Sequence, residues 1–279
     1  ESDKAITVSK LINSNHHEYI ISDKDLIDDA NNILLNYDEP FADPSALPTF
    51  LVSKYTSNNV KVALTGDGGD ELFGGYNKYY MGKINNIYSK YIPQNLHNSL
   101  LKNSDRLLSS RSDKRGGVFK LNKLLRAVDY NNDFYFKIIS LGFQERELIN
   151  LFNFSSNNNE LLNYYRGSSN KIVSINDFRN IDRKLSLEGD LLVKVDRASM
   201  LSSIECRSPF LNKDILNFTS QLPDNYLLKG WNKKFLLKES FKEFFPEKFL
   251  DKSKQGFAVP VGDWLKTSFS TELLGYIDK

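Results

Sequence analysis

The stretch Val60–Tyr76 reads VKVALTGDGGDELFGGY and decides how this part of the chain folds. Its β-branched beginning predicts a strand over Val60–Leu64, and the glycines that follow predict a tight turn into a helix near Asp70. A strand that ends in glycines leaves backbone N–H groups free to face an anion, and a helix N-terminus adds about half a positive elementary charge. The stretch therefore predicts a strand–turn–helix unit that can accept a phosphate.

Acidic side chains lie in the same turn, at Asp67, Asp70 and Glu71. Carboxylates beside a phosphate chain are favourable chiefly when a divalent cation stands between the two. Mg²⁺ and a nucleoside triphosphate are therefore the first hypothesis, with the backbone of Gly68 and Gly69 facing the phosphates. The alternative is an ordinary βα turn, in which the acids only complement the helix dipole.

The fold class follows from the order of the predicted elements. Before Tyr76 they are a strand at Tyr19–Ile21, a helix from Asp23 to Asn36 capped by Ser22, a helix after Asp43-Pro44-Ser45 and the strand Val60–Leu64. Such alternation favours parallel strands joined by crossover helices. Beyond Tyr76, apolar residues recur at spacings of three and four, which predicts helices. The predicted fold class is α/β, with parallel strands followed by a mainly helical C-terminal portion.

Composition restricts the classes of function. The 279 residues are 40% hydrophobic and 13% aromatic, which is typical of a globular protein. The net charge of +2 gives no reason to expect a nucleic-acid partner. The single cysteine, Cys206, excludes a disulfide within the chain, and no apolar run approaches the ~20 residues of a membrane span. We expect one domain over residues 1–279, no membrane partner and a cytoplasmic location.

Three further segments accompany the acidic turn. They are Asp38–Tyr55 (DEPFADPSALPTFLVSKY), Asp196–Leu211 (DRASMLSSIECRSPFL) and Lys252–Trp264 (KSKQGFAVPVGDW). In this order, together with the GDGGDELFGGY turn, they resemble the synthetase domain of the asparagine synthetase B family, glutamine-dependent amidotransferases that adenylate a carboxylate. The resemblance implies a nucleotide-binding α/β sandwich that uses ATP and Mg²⁺.

The resemblance also implies a reaction and its partners. The β-carboxylate of aspartate attacks the α-phosphate of ATP, which gives β-aspartyl-AMP and pyrophosphate, and ammonia then displaces AMP. The implied partners are aspartate or a related carboxylate, and ammonia from a glutaminase domain of the same parent chain; a homodimer is left open. Family members also carry a Ser-Gly-Gly-x-Asp-Ser pyrophosphate loop and a nucleophilic N-terminal cysteine. Neither occurs in this sequence, so we expect a fragment that is inactive alone.

Family roles carry over to residues of the turn. Thr65 and Gly66 match a Ser-Gly pair whose backbone contacts ATP, and Asp70 matches a magnesium-binding Asp. Asp67 stands where the best-known members have Glu, a residue needed to form the acyl-adenylate. Because Asp is shorter by one methylene, the replacement weakens the inference of strict aspartate specificity, although the role is kept for Asp67.

Two other segments supply candidate residues. Lys254 matches the lysine of the Lys-Gln-Gly-Phe loop, which stabilises charge on the phosphates during the reaction; Lys252 is its rival. Asp196 and Glu205 are expected at the two ends of a helix, with Arg207 just beyond it. These three residues either form a buried ion-pair network or contact aspartate or ammonia directly.

Lys234 matches a family lysine that opens a Lys-x-x-Leu-Arg helix, and Lys238 replaces the arginine of that pattern. A bidentate contact at that position is therefore expected to be lost. Two alternatives to asparagine synthesis stay open. One is the same chemistry on another carboxylate, in a polysaccharide, a β-lactam precursor or a peptide, and the other is an interaction module that binds no nucleotide.

Overall fold

The computed structural model describes residues 2–107, 124–131, 134–139, 164, 174–251, 261–264, 266–267, 270 and 274–275. Within these ranges the chain is mixed α/β and mostly helical, with a parallel two-stranded sheet. The predicted fold class is confirmed. None of the described helices has the length and apolar character that a membrane crossing demands.

Helices supply most of the secondary structure in these ranges. They are α1 Ser2–Leu11, α2 Asp23–Leu34, α3 Ala46–Thr56, α4 Gly69–Phe73, α5 Asn77–Tyr91, α6 Gln94–Leu107, α7 Phe134–Ile139, α8 Ile175–Asp182, α9 Val193–Met200, α10 Lys213–Ser220, α11 Asp224–Leu227, α12 Phe235–Phe241 and α13 Val261–Trp264. A π-helix spans Arg183–Leu192, and 3-10 helices span Pro209–Leu211, Lys242–Phe244 and Phe249–Asp251. The strands are β1 Val62–Leu64 and β2 Glu205–Arg207, which pair in parallel with Ala63 opposite Cys206.

The chain packs into two compact units. The first comprises Glu1–Asp67, Glu188–Asn212 and Lys238–Lys279, and the second comprises Gly68–Leu187 and Lys213–Leu237. A compact unit is not by itself an independently folding domain. The prediction of a single synthetase-type domain over residues 1–279 therefore stays a prediction.

In the first unit, α3 packs against α2 and α9. The core of this unit is apolar, and its buried members are Leu26, Ala30, Ile33, Ala46, Leu47, Phe50, Leu51, Ala198 and Trp264. Helix α2 begins as predicted, because Ser22 and Asp25 exchange hydrogen bonds, Ser22 N to Asp25 Oδ2 at 2.9 Å and Asp25 N to Ser22 Oγ at 3.3 Å. The strand predicted at Tyr19–Ile21 is wrong: those residues pair with no strand in the part of the chain that the structure describes, and Ile20 is 93% exposed.

In the second unit, α8 packs on α4 and α5. The buried core is largely aromatic and consists of Tyr79, Tyr80, Ala127, Phe134, Tyr135, Ile175, Phe178, Ile181, Leu222, Leu227 and Leu228. A Cβ on Gly82 of α5 would lie 2.0 Å from the ring of Phe178, so this glycine permits the close approach of α5 and α8. Helix α8 begins at a capping box, in which Ser174 and Asp177 satisfy each other's backbone N–H groups.

Candidate active site

The backbone that leaves β1 is fastened to the residues that end β2, within the first unit. The N–H of Thr65 donates to the carbonyl of Arg207 at 2.8 Å, and the hydroxyl of Ser208 donates to the carbonyl of Asp67. Gly66 is exposed between these two anchors, and a Cβ built on it would meet no atom of the described residues within 4 Å. The glycine therefore leaves an open stretch of backbone that a ligand can approach closely.

The second unit begins with the short helix α4, a helix of five residues. Gly68 precedes it with φ of 81°, and Gly74 follows it with φ of 75°. Residues other than glycine rarely adopt this left-handed conformation. Gly68 and Gly74 thus allow the sharp turns of the chain into and out of α4. The sequence GDGGDELFGG predicts a turn here, but not which glycines have positive φ.

Asp70 on the first turn of α4 forms an ion pair with Lys234. Oδ1 of Asp70 lies 2.9 Å from Nζ of Lys234, and the carboxylate side chain is 19% exposed. The backbone of Gly75 lies directly against this pair, because a Cβ there would lie 1.7 Å from Oδ1 of Asp70 and 2.5 Å from Cε of Lys234. The carboxylate is therefore preorganised next to a positive charge, in partial shelter from water.

Glu71 turns inward, unlike Asp70. Its side chain is buried, and the hydroxyl of Tyr76 donates to Oε1. Burial raises the pKa of Glu71, and the negative charges of Asp70 and Asp182 add to the effect, although the hydrogen bond from Tyr76 opposes it. The expectation that all three acids of the turn face a cation is thus corrected for Glu71, which belongs to the interior.

Asp182, at the end of α8, is the acceptor at the centre of a buried hydrogen-bond network. Its carboxylate is fully buried and receives hydrogen bonds from the ammonium of Lys78 and from the hydroxyls of Tyr79, at 2.6 Å, and Tyr135. Burial raises the pKa of Tyr79 and of Tyr135, and the charge of Asp182 raises both further. The two phenols therefore remain protonated donors at neutral pH.

A second charged cluster joins α3 to α9 in the first unit. Nζ of Lys194 lies 2.8 Å from Oδ2 of Asp43 and donates to the hydroxyl of Ser45 at 2.8 Å. Burial pushes the pKa of Asp43 upward, but the hydrogen bonds from Lys194 and Ser45 outweigh it and lower the pKa overall. Burial also raises the pKa of Asp190, with the charge of Asp43 contributing. The sequence pattern had indicated only a helix start at Asp43–Ser45.

Glu205 and Arg207 form an ion pair, but not a buried one. Nε of Arg207 lies 2.7 Å from Oε1 of Glu205, and both side chains are more than half exposed, at 63% and 56%. Asp196 is exposed on α9. The predicted helix over 196–205 is corrected: it ends at Met200, the chain turns through Ser203 with φ of 54°, and Glu205 enters β2. The buried-network interpretation of these three residues is therefore wrong.

Lys254 and its rival Lys252 lie outside the described residues, and their assignment stays a prediction. In the part of the chain that the structure describes, no group of three or more His, Cys, Asp or Glu side chains is arranged to hold a metal ion. The candidate residues that the structure brings together are thus Thr65 with Arg207, Glu205 with Arg207, and Asp70 with Lys234.

A family model described as "Asparagine synthase" matches residues 1–276. The chain belongs to the asparagine synthase family. It is 29% identical over 254 residues to asparagine synthetase [glutamine-hydrolyzing] 1 of Bacillus subtilis, a match that covers 90% of this chain and 39% of that protein. It is 30% identical over 270 residues to the putative asparagine synthetase [glutamine-hydrolyzing] of Mycobacterium bovis, covering 95% of this chain and 40% of that protein.

A shorter match, 43% identical over 67 residues, links 24% of the chain to 13% of the putative asparagine synthetase [glutamine-hydrolyzing] 2 of Methanocaldococcus jannaschii. The chain spans 39% of the length of the Bacillus subtilis relative and 40% of the length of the Mycobacterium bovis relative. The resemblance inferred from the motifs is thereby confirmed at the level of the family.

Sequence reasoning missed several charged residues in this member of the asparagine synthase family. The pairing of Lys234 with Asp70 joins distant positions, and no local pattern indicates it. Arg179 and Asp182 did leave a signal. They share one helix face with Ile175 and Phe178, since positions three, four and seven apart lie on the same side. Charged residues on an apolar stripe indicate a buried polar network.

Proposed function

We propose that the full-length protein is a glutamine-dependent asparagine synthetase, which amidates the side chain of aspartate with ATP as the driving substrate. The observation that carries the proposal is the preorganised carboxylate of Asp70, 2.9 Å from the ammonium of Lys234 at the start of α4. Membership of the asparagine synthase family supports it, and so does the glycine-rich backbone that precedes Asp70.

The proposed reaction has two bond exchanges. An oxygen of the β-carboxylate attacks the α-phosphorus of ATP, the bond from phosphorus to the bridging oxygen breaks, and pyrophosphate leaves with β-aspartyl-AMP formed. The nitrogen of ammonia then attacks the acyl carbon, loses a proton, and the carbon–oxygen bond to AMP breaks. Both leaving groups gather negative charge on phosphate oxygens, so the protein acts chiefly by positioning and charge stabilisation.

ATP is assigned to the glycine-rich backbone. Thr65 and Gly66 contribute main-chain contacts, and Gly68 and Gly69 contribute N–H groups. Gly66 is exposed, and no atom of the described part of the chain would lie within 4 Å of a Cβ built on it. This openness fits the close approach of a phosphate chain. The hydrogen bond from Thr65 to Arg207 keeps the backbone before Gly66 in place as the ligand arrives.

Mg²⁺ is assigned to Asp70, and the residues present fit it. The Asp70 carboxylate is a hard oxygen donor that already balances a cation, the ammonium of Lys234. Mg²⁺ in nucleotide sites is commonly held by one or two carboxylates together with substrate phosphates. When bound, it supplies positive charge that offsets the charge of the triphosphate.

The remaining roles concern the reacting groups. Asp67 is assigned to formation of the acyl-adenylate, and Lys254 to stabilising charge on the phosphates. Asp196, Glu205 and Arg207 are assigned to the carboxylate substrate or to ammonia. The exposed Glu205–Arg207 pair supports this, because it presents both signs of charge, as a zwitterionic amino acid requires.

A related carboxylate is the second candidate substrate. The observation that favours it is Asp67, which is shorter by one methylene than the Glu of the best-known asparagine synthetases. A shorter acid leaves more room for a larger acceptor, such as a polysaccharide, a β-lactam precursor or a peptide. In either case the proposal includes a cytoplasmic location, which the single, unpaired Cys206 supports.

The test is a product balance. The full-length protein is given ATP, Mg²⁺, aspartate and either ammonium or glutamine, and AMP, pyrophosphate, asparagine and glutamate are quantified. We expect AMP, pyrophosphate and asparagine in equal amounts, with glutamate only from glutamine. Residues 1–279 alone, which contain no Ser-Gly-Gly loop, are expected to release no pyrophosphate. Pyrophosphate release only with another carboxylate would favour the second candidate, and no nucleotide binding would overturn both.

A further inference from the structure

Arg179 on α8 is a buried cation, and its hydrogen-bond partners among the described residues are carbonyl and amide oxygens. Its side chain is 1% exposed. Nε donates to the carbonyl of Glu71 at 2.9 Å, and Nη2 donates to the carbonyls of Leu72, at 2.6 Å, and Thr219, at 2.9 Å. Nη1 donates to Oδ1 of Asn176 at 2.5 Å. A buried guanidinium is unfavourable unless its donors are satisfied, and main-chain carbonyls satisfy most of them.

The carbonyls that Arg179 binds lie in the last turns of two helices. The final carbonyls of a helix have no partner inside it, and they carry about half a negative elementary charge together. In α4, the N–H of Gly75 donates to the carbonyl of Asp70 at 2.8 Å. Arg179 satisfies the next two carbonyls of α4 and one in the last turn of α10. Its positive charge is thus stabilised by two helix ends.

The position of Asp70 depends on this arrangement. A helix of five residues is far too short to be stable without tertiary contacts. The glycines at its two ends, Gly68 and Gly74, permit sharp turns but supply no side-chain contact of their own. The guanidinium adds hydrogen bonds to the last turn of α4, beside the burial of Leu72 and Phe73. A change in the direction of this helix would carry Asp70 away from Lys234.

We propose that Arg179 is the positioning residue for Asp70, acting through the carbonyls of Glu71 and Leu72. Its effect on activity rests on the proposed function, whereas its effect on α4 does not. Burial lowers the pKa of Arg179 to about 10, so the guanidinium stays protonated at neutral pH. The fork of five N–H donors matters as well as the charge, because a lysine ammonium cannot reach carbonyls in this planar arrangement.

The test compares Arg179→Lys with Asn85→Ala in the full-length protein. Asn85 is a matched control in the second unit: it is buried, donates to the carbonyl of Asp129 at 3.1 Å and accepts from its N–H at 2.9 Å. Without nucleotide, Arg179→Lys is expected to speed hydrogen exchange of the amides of residues 72–75 roughly tenfold. The magnesium concentration for half-maximal AMP formation should rise several-fold. Asn85→Ala should lower the Tm and change neither value.

The proposal is overturned if Arg179→Lys leaves both the amide exchange of residues 72–75 and the magnesium midpoint at their wild-type values. It is also overturned if Asn85→Ala, at the same loss of Tm, changes both quantities as much as Arg179→Lys does. Should Arg179→Lys not fold, Asn176→Ala replaces it, since that change keeps the arginine but releases Nη1. Smaller shifts in the same direction are expected, and unchanged values again overturn the proposal. If the wild type makes no AMP, the proposed function fails, and the exchange of residues 72–75 alone decides the role of Arg179.

Discussion

The ammonium of Lys234 lies 2.9 Å from the carboxylate of Asp70, although the two residues belong to separate segments of the second unit. Asp70 thus has a cation beside it before any ligand arrives. The same carboxylate is confined by Gly75, where a Cβ would lie 1.7 Å from Oδ1. We expect a carboxylate held in this way to exchange its cationic neighbour for a metal ion with little reorganisation of the backbone.

Asp70→Asn is expected to raise the magnesium concentration needed for AMP formation by the full-length protein. The variant keeps the shape of the side chain but loses the charge that attracts a divalent cation. Asp29→Asn is the matched control, because Asp29 lies 2.9 Å from Lys54 and its side chain is 18% exposed. Both variants should lose a similar amount of stability in thermal melts, because each carboxylate lies 2.9 Å from a lysine ammonium and the two are about equally exposed. An unchanged magnesium midpoint in Asp70→Asn would remove this residue from the metal site.

Gly75→Ala is expected to displace the Asp70 carboxylate, because the new methyl group would overlap Oδ1 and press on Cε of Lys234. Overpacking of this kind costs roughly 1–3 kcal/mol, and the magnesium midpoint should rise as in Asp70→Asn. Gly189→Ala is the control, since a Cβ there would meet no described atom within 4 Å. Urea unfolding and magnesium titration measure the two effects, and equal behaviour of both variants would contradict the prediction.

Asp182→Ala is expected to destabilise the protein by roughly 3–5 kcal/mol, because it leaves a partly buried ammonium and buried hydroxyls without their acceptor. The groups left behind belong to Lys78, Tyr79 and Tyr135. Asp38→Ala breaks the ion pair with the exposed Arg197 and should cost about 1 kcal/mol or less. Urea unfolding of the two variants gives the comparison. A loss for Asp182→Ala no larger than that for Asp38→Ala would show that the network adds no stability.

Glu71→Gln is expected to change how stability depends on pH. Because burial raises the folded-state pKa of Glu71 above the ordinary 4.5, the folded protein holds this proton more tightly than the unfolded chain. The resulting stabilisation is complete below the unfolded pKa and is lost as pH rises through the folded pKa. The free energy of unfolding of the wild type minus that of Glu71→Gln should therefore decrease as the pH rises above about 4.5. A difference that rises with pH, or stays flat, would contradict the assigned direction.

Lys254→Ala is expected to slow formation of the acyl-adenylate by roughly 2.7 to 4 kcal/mol in activation free energy, with a smaller effect on ATP binding. A preorganised positive charge acts mainly in the transition state, where the leaving pyrophosphate gathers charge. Lys252→Ala, two positions earlier, should be mild. Single-turnover release of pyrophosphate and equilibrium binding of ATP distinguish the two steps. If the effects of the two variants are reversed, the motif has been placed two residues off.

The sequence by itself determined the local elements and the family. The β-branched run and glycines of Val60–Tyr76 predicted β1, the turn and α4, and the serine at Ser22 predicted the start of α2; the structure confirms these elements, with a shorter strand. Such features are encoded locally, because strand preference, turn conformation and helix capping depend on neighbouring residues. The four motifs likewise indicated the family that residues 1–276 match.

Only the tertiary structure decided which charges meet and which are buried. It placed Lys234 against Asp70 and buried the side chain of Glu71. It made Asp182 the shared acceptor of a buried network and left the Glu205–Arg207 pair exposed. It also shows that Tyr19–Ile21 do not form a strand. The physical reason is that a strand requires a partner, and a charge depends on the dielectric and hydrogen-bond donors around it. These come from residues far away in the chain, and no local pattern contains them.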